Sequence, residues 1–168
     1  MTDKQFELIE KLVQKQISIE KFKLLFPLNF KTEPDLLLEN LEQAFKRKDA
    51  KQTEYIFRIL FLDELLLRSN KYAPLLSDLL LADWHYIHED VAMILREIKS
   101  PDSVKALKNA AIMKLDYLDY DDTFQLARKC IKALHAVHTE SSKTALSELI
   151  QYNNPIIAKY AQKELNRW

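Results

Sequence analysis

No glycine occurs in the 168 residues of this chain, where average usage would supply about 12. Glycine reaches positive φ at no steric cost and lets backbone approach a phosphate closely. Its absence removes the P-loop, the dinucleotide-binding G-x-G-x-x-G turn and the G-x-S-x-G nucleophile elbow. It also disfavours β-sandwiches and barrels, whose tight hairpins need primed turns. The expectation is an all-α fold whose turns are built from Asn, Asp, Ser and Pro.

Pro34, Pro101 and Pro155 each open an apolar-periodic run, and each follows residues able to cap: Thr32-Glu33, Ser100 and Asn154. Proline suits the first helical turn because its missing N–H would be unpaired there anyway. The apolar spacing predicts ten helices, over about 3–16, 18–26, 34–48, 52–69, 72–82, 84–99, 102–114, 122–138, 141–152 and 154–166. The connections are short, so consecutive helices should be antiparallel neighbours. One domain is expected over residues 1–168. The apolar stretches near 59–67 and 75–82 are interrupted by Asp63, Glu64 and Asp78, and neither can span a bilayer.

A 39-residue shift lays Ile87, Val91, Leu95 and Ile98 on Leu126, Cys130, Leu134 and Val137, and Ala106-Leu107 on Ala145-Leu146. A further shift of 31 carries Leu126, Cys130 and Leu134 onto Ile157, Ala161 and Leu165. Each unit is a longer helix, a polar turn and a shorter helix. Such a pair cannot bury its apolar stripe alone, so the units should stack into a right-handed α-solenoid. Residues 52–82 join the array in weaker register: Ile59, Leu62 and Leu66 fit, but Asp63 falls where a leucine is expected. Residues 1–50 match nothing in the array and are expected to form an N-terminal helical cap, leaving 52–168 as the repeats.

Chemistry is sparse. The four histidines form two i, i+3 pairs, His85 with His88 and His135 with His138. A metal needs three or four ligands, and the two pairs lie about a repeat apart, so neither a metal site nor a cofactor is expected. At 100° per residue, His88 borders the stripe of helix 84–99, while His85, Glu89 and Arg96 share its far face. His85 should then lie at the surface or at an interface, and Glu89 could pair with Arg128 across adjacent units. The lone Cys130 aligns with Val91 and Ala161, a core position where a thiol is inert. It also excludes an internal disulfide and suits a reducing cytoplasm. No spacing marks a catalytic triad, and no enzymatic activity is expected.

Charge is more informative. Lys+Arg and Asp+Glu both number 25, so no general affinity for nucleic acid or anionic membrane is expected. Yet residues 61–122 hold seven basic and twelve acidic side chains, net −5, and residues 123–168 hold seven and three, net +4. The sharpest element is Asp116-Tyr117-Leu118-Asp119-Tyr120-Asp121-Asp122. Asp121 or Asp122 should cap the helix that follows. One cap explains one aspartate; the rest could face a basic partner, with the tyrosines as rigid contacts. Trp84-His85-Tyr86-Ile87-His88-Glu89-Asp90 is the second dense cluster. Trp84 should lie in the first turn of its helix, and its alignment with Thr123 puts both clusters on one edge of the stack.

The S-P-D-S-V-K-A-L run at 100–107, L-A-R-K-C-I-K-A-L at 126–134 and N-N-P-I-I-A-K-Y-A-Q-K-E-L at 153–165 resemble HEAT-like repeats. The W-H-x-x-H-E-D segment at 84–90, followed one unit later by Tyr120-Asp121-Asp122 and L-A-R-K-C, resembles small bacterial HEAT-like immunity proteins of contact-dependent and polymorphic toxin systems. The resemblance implies a cytoplasmic inhibitor that binds one cognate toxin; a monomer is expected for the free chain. Many such toxins are nucleases with basic clefts, which would suit the acidic loop. The partner-binding residues would be Trp84, His85, His88, Glu89, Asp116, Tyr117, Asp119, Tyr120, Asp121 and Asp122. Two rivals are a HEAT-like DNA glycosylase, which the −5 middle segment disfavours, and a general scaffold. For the fold, Leu134→Ala should cost about 2–5 kcal/mol if the register is right, as read by urea denaturation.

Overall fold

The computed structural model describes residues 2–26, 34–62 and 69–168. Among them no strand occurs, and ten α-helices do: α1 Asp3–Val13, α2 Ile19–Leu25, α3 Pro34–Arg47, α4 Ala50–Leu60, α5 Ala73–Leu80, α6 His88–Ile98, α7 Val104–Ala111, α8 Gln125–Val137, α9 Glu140–Ile150 and α10 Pro155–Leu165. The fold is therefore all-α, as expected from the lack of glycine. No helix among the described residues is long and apolar enough to cross a membrane.

The helix starts follow the capping chemistry. Thr2 and Gln5 close a reciprocal capping box on α1, and Thr139 and Ser142 close another on α9. Ser18 and Asp49 accept the N–H groups of Lys21 and Gln52 to start α2 and α4. Asn154 accepts from Ile156 and Ile157, with Pro155 at the first helical position of α10. Pro101 opens a 3-10 turn, residues 101–103, that leads into α7. The caps expected before Pro34, and the register positions Asp63 and Leu66, lie outside the described residues.

The helix ends show what the missing glycine costs. Lys15, Lys48, Lys99, Phe124 and His138 all take left-handed backbone, with φ between 52 and 58°. After α1 the Gln16 N–H donates to the Lys11 carbonyl (2.8 Å) and Lys15 N–H to that of Leu12 (3.0 Å). After α3 the Asp49 and Lys48 N–H groups repeat the pattern on Ala44 (2.9 Å) and Phe45 (3.0 Å). These are Schellman ends with lysine at the position glycine normally holds.

The chain divides into two compact units, Met1–Leu66 and Leu67–Trp168. In the first, α4 packs on α1 and α3; Glu10 of α1 accepts from Lys51 Nζ (2.9 Å) and Tyr55 Oη (2.7 Å) of α4. Its core includes the fully buried Ile9, Leu37, Leu41, Ile56, Ile59 and Leu60. In the second unit α6, α8 and α10 pack in succession, as do α5, α7 and α9, and the pairs α5–α6, α7–α8 and α9–α10 also touch. Val91, Cys130 and Ala161, which the sequence shifts superpose, are all completely buried, and so are Leu95 and Leu134.

Two starts differ from the apolar pattern. Residues 84–87 stay outside α6, which begins at His88, and α8 begins at Gln125 rather than near 122. Trp84 is thus not in a helical turn. The Ile87 N–H donates to His85 Nδ1 (3.2 Å), a local side-chain turn that competes with helical backbone bonding. A left-handed L-residue costs about 1–2 kcal/mol, while glycine's extra freedom in the unfolded chain costs about 0.5–1 kcal/mol. Lys99→Gly, at an exposed end, should therefore raise stability by about 0.5–1 kcal/mol; urea denaturation of the two proteins measures it.

Candidate functional site

The segment between α5 and α6 folds two imidazoles back onto the end of α5. His85 Nε2 lies 2.8 Å from the Leu79 carbonyl oxygen and His88 Nε2 lies 2.6 Å from that of Ala82. A carbonyl only accepts, so both Nε2 atoms carry hydrogen and both rings, when neutral, have acceptor Nδ1 atoms. His85 Nδ1 takes the Ile87 N–H, and His88 Nδ1 takes the Tyr117 hydroxyl at 2.8 Å. All four ring nitrogens are thereby occupied. The rings stack with centroids 4.1 Å apart at 28°, and Trp84 meets His85 edge-on at 5.1 Å.

His85 is 1% exposed and His88 completely buried. The surface position expected for His85 is wrong: with no helix through 84–87, the residue follows its hydrogen bond inward rather than helical periodicity outward. Burial pushes both imidazoles below their ordinary range, with His88, which also faces the His85 ring, falling to about 4. Among the described residues no group of three or more His, Cys, Asp or Glu is placed to hold a metal ion.

Tyr117 joins the two clusters that the sequence singled out. Its hydroxyl reaches His88, and its ring meets Tyr86 edge-on, with centroids 5.1 Å apart at 90°. Burial, only partly opposed by a hydrogen bond from the His88 backbone, pushes its phenol up to about 12. The 3-10 turn at 116–118 begins with Asp116 exposed, and Asp119, Tyr120 and Asp122 are exposed beyond it. Tyr120 at 82% and Tyr86 at 74% are among the most exposed large side chains in the described chain.

Asp121 has a different task. Its carboxylate accepts from Thr123 N–H (3.0 Å), Thr123 Oγ1 (2.5 Å) and Gln125 N–H (2.6 Å). Burial raises its pKa, but these bonds outweigh burial and hold the carboxyl below its usual range. They also support Phe124, a bulky residue at φ 52°, a conformation that costs of order 1–3 kcal/mol. Glu89 pairs with Lys129 at 2.6 Å, not with Arg128. One residue along α8 is 100° around its axis, and that rotation carries Arg128 over the Tyr160 ring instead, at 5.8 Å. Burial also raises the Cys130 thiol well above its usual range, so it offers no thiolate at neutral pH.

Sequence reasoning missed a cavity of about 240 Å³ beside the loop. Ile112, Leu115, Leu126 and Ile157 are among its apolar walls, while Asp119, Asp122 and Tyr152 also line it. Its residues come from the 110–127 stretch and, far along the chain, from 152–157, and no local spacing announces that meeting. Comparison of the chain with protein-family models, with curated proteins and with solved structures gives no match.

The buried histidines make stability depend on pH. The unfolded chain protonates His88 near 6.5 and the folded one near about 4. Stability should hold level above pH about 6.5 and fall between there and about 4, by on the order of 2–3 kcal/mol from this residue. Urea denaturation across that range tests it; His88→Gln should be less stable at pH 8 and show a shallower acid slope.

Proposed function

We propose that the protein is a cytoplasmic immunity protein that binds one cognate bacterial toxin through the 116–122 loop and its surroundings. The observation that carries the reading is the division of labour within that loop. Asp121 closes α8 and Tyr117 anchors to His88, while Asp116, Asp119 and Asp122 remain exposed beside Tyr120. A helix start needs one carboxylate; three more on an anchored turn have no structural use, but they suit a basic cleft. Exposed tyrosines and an adjacent apolar cavity supply the anchoring that rim charges lack. His85, His88 and Trp84 act in this reading as the base that holds the surface, and His85 and His88 make no contact of their own.

The scaffold belongs to the proposal too. The sequence spacing and the two successions of packed helices, α6–α8–α10 and α5–α7–α9, support a right-handed HEAT-like solenoid. Residues 1–50 enter it as the cap on sequence grounds alone. The immunity role itself leans on the 84–90 and 120–130 sequence pattern.

The loop reading requires that Asp119 and Asp122 act on binding and not on folding. The variant Asp119→Asn with Asp122→Asn should unfold as the parent does. Its association with the toxin captured by pull-down should slow about ten-fold or more at low salt and converge on the parent at high salt. Equal association rates, or full protection of cells co-expressing the toxin and the variant, would refute the assignment.

A further inference from the structure

The strongest cationic cluster lies away from the acidic loop, on neighbouring faces of α8 and α10, which pack together. Arg128 and Lys132 stand one turn apart on α8, Lys163 lies on α10, and Arg167 lies in the turn just past its end. With Tyr160 and Glu164 they line a cavity of about 140 Å³. Four cations thus face one carboxylate. Glu164, 6% exposed, is already taken by Arg167 Nη1 at 3.1 and 3.3 Å.

The other members are held or free in an informative way. The Tyr160 hydroxyl donates to the Thr123 carbonyl (3.2 Å), which fixes the ring under the Arg128 guanidinium. Arg128 stacked in this way keeps its N–H edge available for a planar acceptor. Lys132 and Lys163 have no acidic partner among the described residues. Nearby cations are engaged elsewhere: Lys129 on Glu89 and Lys143 over Trp168. Like charges one helical turn apart repel, and an excess gathered around a cavity is a cost that an anionic ligand would relieve.

We propose that this cavity is a binding site for a phosphate-bearing ligand. Lys132 and Lys163 supply point charges, Arg128 a fixed guanidinium edge, and Tyr160 acts as its positioning residue. A multiply charged phosphate group fits the surplus of three positive charges better than a single carboxylate. The shared chemistry has two sources, a free diphosphate or a nucleic-acid backbone. The site stands on its own residues and not on the toxin-binding reading.

The test titrates the full chain with inorganic pyrophosphate, followed by calorimetry in low-chloride buffer. Saturable binding with Kd below about 1 mM is expected. Lys132→Gln with Lys163→Gln should weaken it about ten-fold or more while thermal unfolding stays unchanged; the single Lys163→Gln, at an exposed position, should give a smaller loss in the same direction. A parallel titration with a single-stranded oligonucleotide separates the sources. Oligonucleotide binding that depends on the same lysines and falls steeply with salt identifies a backbone, and pyrophosphate binding alone identifies a free diphosphate. No saturation by pyrophosphate up to about 10 mM, or unchanged affinity in both lysine variants, overturns the proposal.

Discussion

The hydrogen bonds from His85 and His88 to the Leu79 and Ala82 carbonyls, in and just past the last turn of α5, hold this end of the second unit together. A helix leaves its final carbonyls without partners, and most proteins answer with a glycine whose left-handed backbone turns the next N–H groups inward. This chain has no glycine. At α1 and α3 it strains a lysine into the glycine conformation. At α5 it sends in two side chains, and the Leu79 and Ala82 oxygens receive imidazole N–H groups. The second solution costs no backbone strain, but it buries two titratable rings. Those bonds to carbonyl oxygens would serve a charged ring as well, so it is burial that holds both imidazoles neutral.

That choice propagates. With Nε2 committed to the backbone, His88 Nδ1 is an acceptor, and the Tyr117 hydroxyl satisfies it. Tyr117 sits in the 3-10 turn between α7 and α8, so the end of α5 sets where the acidic loop begins. The loop's other end is set by Asp121, whose three hydrogen bonds hold Phe124 in left-handed backbone. Between these anchors Asp119 and Tyr120 are exposed. Their exposure follows from the anchoring of their neighbours rather than from any property of their own.

Much of the fold was legible because helices report themselves through local periodicity and caps. Thr139, Asn154 and Pro155 mark their helix starts, and the superposed Val91, Cys130 and Ala161 are buried alike. The errors fall where a side chain overrode the period. His85 reads as an outward residue only if 84–87 is helical; its ring captures the Ile87 N–H, and the helix waits until His88. Glu89 finds Lys129 because α8 presents that residue one step around its axis from the one the alignment picked. The loop was visible as a run of aspartates, but not which one caps. That depends on where α8 starts, three residues later than the apolar pattern suggests. The cavity walls, Ile112 and Ile157 among them, are brought together by tertiary packing alone and leave no trace in spacing.

Equal totals of acid and base conceal a physical separation within the second unit. The acidic loop ends at Thr123, and its carbonyl receives the Tyr160 hydroxyl, on whose ring Arg128 rests. The negative surface and the basic cavity are therefore joined by two consecutive contacts rather than scattered. Screening at physiological salt acts over about 8 Å, so two patches separated by several side chains keep their own signs as seen by an approaching partner. A neutral chain arranged in this way resists bulk attraction to either sign of polymer, yet retains two locally charged faces that each act at short range.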